Sequence, residues 1–455
     1  MPKQRLTEDY AAIFIGGFIL ILSLIIFLFF PLIAGAEVSI ISEFLNQSVR
    51  KLNAWDVNPL NAFQKGSTGV IKYLFGLLSL FIVFSILFGF FIKSMGEKIS
   101  TFLKGFAIVF FLAIVAYLLA SQMQFKSVGL GYALWAIGIG MFISNAFGIP
   151  DWIRPSLKHE LFIKTGLVLL GAEVLFGKVL AIGLPGIFVA WVVTPIVLVS
   201  TFWFGQKILK IGSKTLNITI SADMSVCGVS AAIATAAACK AKKEELTTAI
   251  GLSMVFTSVM MVALPALIKS VGMPEVLGGA WLGGTIDATG AVVAAGAFLG
   301  ENALNVAATI KMIQNILIGV IAFAVAVYWA TKVEKGPTEK VSANEIWIRF
   351  PKFILGFIAA SIIFSILQQT LDADTSKQLL EKGVFGYTKN MRGWLFCLAF
   401  TSIGLSTNFK ELKAHFSGGK PLVLYLCGQL LNLGLTLLMA WIMFYKVFPE
   451  ITNSL

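Results

Sequence analysis

The chain has 455 residues, of which 58% are hydrophobic and only 13% charged, a balance that excludes an ordinary water-soluble domain. The net charge of +12 does not indicate nucleic acid. Lys and Arg sit in short connectors between apolar runs and form no continuous basic stripe.

A helix needs about 20 mostly apolar residues to cross roughly 30 Å of hydrocarbon, where backbone N–H and C=O groups find no partners. Such stretches recur along the chain, at roughly 11–34, 69–93, 100–121, 127–149, 161–180, 183–205, 216–239, 246–272, 276–299, 303–331, 347–369, 390–410 and 420–448. The expectation is an all-α polytopic membrane protein of about thirteen transmembrane helices, multi-pass in the cell membrane. The first stretch follows Lys3 and Arg5 but is too long for the apolar region of a signal peptide, so it reads as a retained span. With these spans, about 20 of the basic residues share a side with the N-terminus, which favours a cytoplasmic N-terminus.

The connector 35–68 contains SIISEFLNQSVRKLNAWDV, where Ile40, Ile41, Phe44, Leu45 and Val49 mark an apolar face. It reads either as an interfacial helix anchored by Trp55 or as a cap packed on the bundle. The connector TKVEKGPTEKVSANE reads as a solvated hinge between two halves. Residues 1–95 read as an N-terminal extension with two spans and the interfacial segment, and 96–448 as a core of about eleven spans.

The run YALWAIGIGMFIS, GLVLLGAE, LPGIFVAWVVTPIVLV resembles, in order, FILGFIAASIIFS, TSIGLSTN, KPLVLYLCGQLLNLGL. With seven crossings between corresponding spans, the copies would be inverted repeats, the usual architecture of alternating-access transporters.

Three polar segments interrupt the apolar pattern. ITISADMSVCGVSAAIATAAACKAKKEE carries Ser221, Asp223, Ser225, Cys227, Gly228 and Ser230. Gly and Ser let helices approach and backbone unwind, and a carboxylate inside a span costs about 2.5–3.5 kcal/mol on insertion scales unless protonated, paired or wet. WLGGTIDATGAVVAAGAFLG repeats the design with Thr285, Asp287 and Thr289 among glycines. A helix broken there would offer free N–H groups and a positive dipole end to an anion. Glu173 in GLVLLGAEVLF, and Ser402, Ser406, Thr407 and Asn408 in LAFTSIGLSTNFKEL, are candidate neighbours. Against the site reading, small residues also serve plain packing, Glu173 also fits a snorkelling surface charge, and the hydroxyl cluster also fits helix-to-helix bonding.

Cys227, Cys239, Cys397 and Cys427 lie in or beside apolar segments in a spacing that fits neither a zinc site nor a disulfide framework, so they read as buried thiols. His159 and His415 belong to no HExxH or Ser/His/Asp set. No enzyme, cofactor or fixed metal is expected; Asp223 and Asp287 are the candidates for H⁺ or Na⁺.

The segments GLVLLGAEVLF, SVCGVSAAIATAAACKAKKEELTTAI, WLGGTIDATGAVVAAGAFLG with AATIKMIQNILIG, and LAFTSIGLSTNFKELKAHFSGGKPL resemble, over roughly residues 100–448, the YeiH-type sulfate exporter family. That family is related to the cation:proton antiporter and bile acid symporter superfamily. The resemblance implies inverted repeats with discontinuous crossing helices, a homodimer in the lipid bilayer and elevator-like alternating access for a small ionic solute. Such proteins typically read T-x-H-E-x-A-Q-V-V-A-A-G where this chain reads TIDATGAVVAAG, so that Asp287, Ala288 and Ala291 replace His, Glu and Gln. A basic or neutral residue is common at the position of Glu173, and Ser or Gly is usual at that of Asp223. The departures predict a site more acidic than a sulfate exporter needs, and hence a carrier of a small anionic solute coupled to H⁺ or Na⁺. A cation/proton antiporter and a non-transporting scaffold are the alternatives.

Overall fold

The computed structural model describes residues 6–34, 49–64, 69–127, 131–173, 176–333, 347, 350–408 and 419–454. Helices dominate them: α1 (Glu8–Ala34), α2 (Val70–Ser94), α3 (Ile99–Ser121), α4 (Tyr132–Ala146) and α5 (His159–Glu173). α6 (Val179–Lys207) continues through a π turn at Phe188–Val192. Then come α7 (Lys214–Ser225), α8 (Gly228–Ala238), α9 (Lys243–Ser270), α10 (Glu275–Thr285), α11 (Thr289–Leu299) and α12 (Glu301–Tyr328). α13 (Phe353–Thr370), α14 (Gly386–Ser406) and α15 (Gly419–Trp441) complete the longer α-helices among the described residues.

Among the described residues eight helices, α1, α2, α3, α6, α9, α12, α13 and α15, are long and apolar enough to cross a membrane. The fold is therefore all-α and polytopic; eight of the roughly thirteen expected spans are continuous helices of that length and apolarity among the described residues. The stretches 216–239 and 276–299 are each two half-helices, α7–α8 and α10–α11. The stretch 127–149 yields a helix of only 15 residues, and 161–180 another that ends at Glu173. α14 has 21 residues but carries Lys389 and Arg392. Ile40, Ile41, Phe44 and Leu45, like nearly all of the 332–346 hinge, lie outside the described residues.

The chain divides into two compact units, residues 1–177 with 352–408, and 178–351 with 409–455. In the first, α14 packs against α3, α4 and α5, α13 packs against α5 and α1, and α2 packs against α3. Its core is aromatic: Phe88 and Phe162 meet edge to face at 4.9 Å, and Phe110 stacks on Trp394 at 5.6 Å. Trp55 donates to the Leu118 carbonyl at 2.7 Å and Trp394 to that of Val49 at 3.0 Å. Residues 49–64 are thus tied to the bundle at Val49 and Trp55 by tryptophan hydrogen bonds, while the apolar face from Ile40 to Leu45 lies outside the described residues.

α4 and α14 cross glycine to glycine. A Cβ on Gly140 would sit 2.8 Å from the Gly404 Cα, against backbone that cannot yield as a side chain can. Gly140→Ala is expected to cost about 1–3 kcal/mol as overpacking. The measurement is the unfolding midpoint in detergent, with Gly138→Ala, where nothing lies within 4 Å of the added carbon, as the silent control.

In the second unit α8 packs on α9 and α12, α11 on α9 and α12, α7 on α9, and α10 on α12. Exchanging the set α7–α8–α9 with α10–α11–α12 therefore maps these contacts onto themselves. α15 covers α6, α7 and α10. Cys227 and Cys239 are buried in this unit and Cys397 in the first; Cys427 is exposed on α15, contrary to the expectation of four buried thiols. It falls on the face of α15 turned from its partners, beside exposed Leu426 and Leu430.

Candidate functional site

α7 begins at Ser213, whose Oγ accepts from the Leu216 N–H at 3.2 Å. It stops inside the unit: Val226 and Cys227 leave helical geometry, and Gly228, the first residue of α8, takes φ +47°. That left-handed value suits glycine, and the space demands it too, since a Cβ there would lie 2.8 Å from Ser253 Oγ and 3.4 Å from Asp287 Cβ. Ile286 and Ala288 have ψ near 130°, which breaks α10 from α11 around Asp287. The two interruptions thus meet, with Gly228 of one against Asp287 of the other.

Each break orphans the last carbonyls of one half-helix and the first N–H groups of the next. The carbonyls are met by side chains from α12 and α15. Lys311 Nζ donates to Val226 O at 2.5 Å and to Gln314 Oε1 at 2.6 Å. Gln314 Nε2 donates to Ser225 O at 3.1 Å, Gly284 O at 3.2 Å and Thr194 Oγ1 at 3.1 Å. Gln429 Nε2 reaches Thr285 O at 3.2 Å and Asn432 Nδ2 reaches Met224 O at 3.3 Å. Gln314 alone therefore ties both C-terminal ends to α12.

The acidic groups sit in the same place. Asp287 is 1% exposed and accepts a short hydrogen bond from the Tyr425 hydroxyl. Asp223 is fully buried; neither carboxyl oxygen makes a complete hydrogen bond among the described residues, and the Ser253 hydroxyl is the donor beside it. Asp287 and Lys311 are the charges that act on it. Asn315 Nδ2 donates to Thr289 Oγ1 at 3.0 Å, and Thr289 lies 3.9 Å from Cys227 Sγ. Asn315 Oδ1 and Gln429 Oε1 are buried with no donor facing them. With the Asp223 carboxylate, whose neighbouring donor is the Ser253 hydroxyl, the buried oxygens at the crossing that make no complete hydrogen bond among the described residues are all acceptors. With Asp223, Asp287 and Lys311 ionised, the set carries one net negative charge.

Of the other expected residues, Thr285 is buried and bonds back to Trp281 O at 2.6 Å, Ser225 faces Ala222 O at 3.3 Å, and Ser221 faces Asn217 Oδ1 at 3.4 Å. Ser230 is exposed. Glu173, Ser402, Ser406, Thr407 and Asn408 belong to the first unit. Glu173 is no surface charge: its carboxylate takes Arg392 Nε at 3.1 Å and the guanidinium nitrogen at 2.6 Å, with side-chain exposures of 10% and 4%. Ser402, Ser406 and Thr407 spend their hydroxyls on carbonyls one turn back in α14, at 2.8, 2.8 and 2.9 Å. Thr407 O accepts from Asn145 Nδ2 at 2.9 Å.

Lys311, Gln314, Asn315, Tyr425 and Gln429 were not among the sequence candidates. Lys311, Gln314 and Asn315 stand at i, i+3 and i+4 in an otherwise apolar run, which puts three polar groups on one face of a spanning helix. That is a readable signal. Tyr425 and Gln429, one turn apart on α15, gave a weaker one.

The family model described as Conserved hypothetical protein 698 matches residues 104–425, which include both interruptions and Lys311. A UPF0324 membrane protein of Nitratidesulfovibrio vulgaris is 62% identical over 396 residues, covering 87% of this chain and 68% of its own. Another from Rhodopirellula baltica is 56% identical over 407 residues, covering 89% and 73%. A third, from Nitrosomonas europaea, is 30% identical over 394 residues, covering 77% and 79%. No solved structure matches the chain. The protein belongs to the UPF0324 family of membrane proteins, the YeiH-type family that its motifs resemble.

Proposed function

We propose that the protein is a secondary transporter of the cell membrane that carries a small anionic solute coupled to H⁺ or Na⁺. One observation carries the reading: two buried carboxylates, Asp223 and Asp287, gathered with the single ammonium of Lys311 where two interrupted helices meet, beside the buried acceptors Asn315 Oδ1 and Gln429 Oε1. A group of acceptors with one net negative charge calls for one positive charge, and a proton or a monovalent cation supplies it. Lys311 and the N-terminal N–H groups of α8 and α11 offer the complementary features for an anion. Binding the cation removes the net charge that would repel the anion, which couples the two without further machinery.

The sequence repeat that pairs YALWAIGIGMFIS, GLVLLGAE and LPGIFVAWVVTPIVLV with FILGFIAASIIFS, TSIGLSTN and KPLVLYLCGQLLNLGL supports inverted repeats and alternating access. The elevator-like movement and the homodimer follow from the family resemblance, which spans roughly residues 100–448; α1 and α2 lie outside it and would serve as a dimer interface or a scaffold. Cation/proton antiport without an organic solute is the second reading, favoured by two carboxylates facing a single ammonium.

The test is flux in proteoliposomes under an imposed pH or Na⁺ gradient, with labelled sulfate, methanesulfonate and acetate as probes and a lumenal pH dye. Gradient-driven flux of an anion is expected, falling to the level of protein-free liposomes in Asp223→Asn and Asp287→Asn. Na⁺-driven proton movement with no anion flux selects the antiporter. Flux whose pH and Na⁺ dependence survives both substitutions refutes the coupling.

A further inference from the structure

The second unit carries a groove of about 650 Å³ far along α6 from the crossing, formed by α6, α7 and α12. Its walls are apolar: Leu198, Val199 and Phe202 from α6, Ile218 from α7, and Ile321 and Val325 from α12. Its mouth is polar and aromatic, with Trp203, Gln206, Lys207, Lys214 and Tyr328. From Leu198 to Lys207 the wall runs nine residue steps, about 14 Å at 1.5 Å per residue.

Three features define what fits. Val199, Trp203 and Tyr328 are 64%, 56% and 43% exposed, so the groove opens sideways along two helices that are long and apolar enough to span a membrane. Lys207 ends α6 and Lys214 opens α7, so both lysines stand at one edge of the hydrocarbon layer, beside a tryptophan and a tyrosine of the kind that mark that edge. Neither lysine has an ion-pair or hydrogen-bond partner among the described residues. The nearby acid does not neutralise them. Glu245 is held by the Ser213 and Thr215 hydroxyls and the Lys242 N–H.

We infer that this groove is a binding site for an anionic glycerophospholipid, with its phosphate between Lys207 and Lys214 and an acyl chain along Val199, Ile321 and Val325. The two ammonium groups select charge, and the apolar wall, facing hydrocarbon, selects a chain over a free anion. A lipid there would splint the start of α7 to α6 and α12.

The experiment uses the purified full chain in detergent, titrated with phosphatidylglycerol and, separately, phosphatidylcholine, and read by native mass spectrometry and by unfolding midpoint. Phosphatidylglycerol is expected to bind and to raise the midpoint where phosphatidylcholine does not. Lys207→Gln with Lys214→Gln should weaken it about 30-fold, at about 1 kcal/mol per basic residue near an anionic lipid. Ala324→Trp, which fills the groove and leaves both lysines, should also abolish binding, while Lys243→Gln should not change it. Equal binding of the neutral lipid, or phosphatidylglycerol binding unaffected by either groove variant, overturns the inference. Stabilisation by inorganic phosphate alone at the same concentration overturns it as well.

Discussion

Lys311→Met is expected to unfold the second unit more readily than either carboxylate substitution, by about 3–5 kcal/mol, because it removes one partner of a buried charge group and leaves the other charges uncompensated. It also takes the donor from Val226 O, the last carbonyl before the first break. The loss reads as a drop in unfolding midpoint in detergent. Two controls separate charge from shape. Lys311→Arg keeps the charge but brings a planar fork where a single Nζ bridges a carbonyl and Gln314 Oε1, so it should recover only part of the stability. Lys311→Met combined with Asp287→Asn removes one charge of each sign and should be more stable than Lys311→Met alone, a coupling of about 1 kcal/mol or more by double-mutant cycle. Simple additivity would mean that Lys311 acts as a cap and not as a counter-charge.

The two kinds of residue at this site differ in how far sequence exposes them. Asp223 and Asp287 are legible because each is a lone carboxylate in an apolar stretch among glycines and small hydroxyls, a composition that predicts both a local break and a reason for it. Their partners are not, since the bond from Lys311 to Val226 O joins residues 85 apart and that from Tyr425 to Asp287 residues 138 apart. Local spacing carries no information about such pairings. The same limit governs the span count. Hydropathy alone does not distinguish a continuous helix from two halves, so 216–239 and 276–299 each count as one span, and only the small and polar residues around Gly228 and Asp287 point to the breaks. Where local chemistry decides, as at the left-handed Gly228, the reading from sequence and the observed break coincide.

Glu173 is a third case, because the structure pairs it with Arg392. An acid in an apolar run invites a functional reading when its partner, 219 positions away, is invisible. The pair joins α5 to α14 with both nitrogen–oxygen contacts of a guanidinium fork made, and the guanidinium lies 5.7 Å from the Phe396 ring centre. Arg392→Ala should therefore cost about 3–5 kcal/mol, since Glu173 would lose the guanidinium that balances its buried charge. The midpoint of unfolding in detergent measures it. Glu173→Gln combined with Arg392→Met removes both charges and should recover most of that loss, as buried pairs replaced by apolar groups of similar volume often do. If the double variant is stable and still transports under the gradients described above, Glu173 holds the first unit together and takes no part in ion coupling. If it is stable and transport is lost, the acid has a role beyond the pair, as its place in the sequence first suggested.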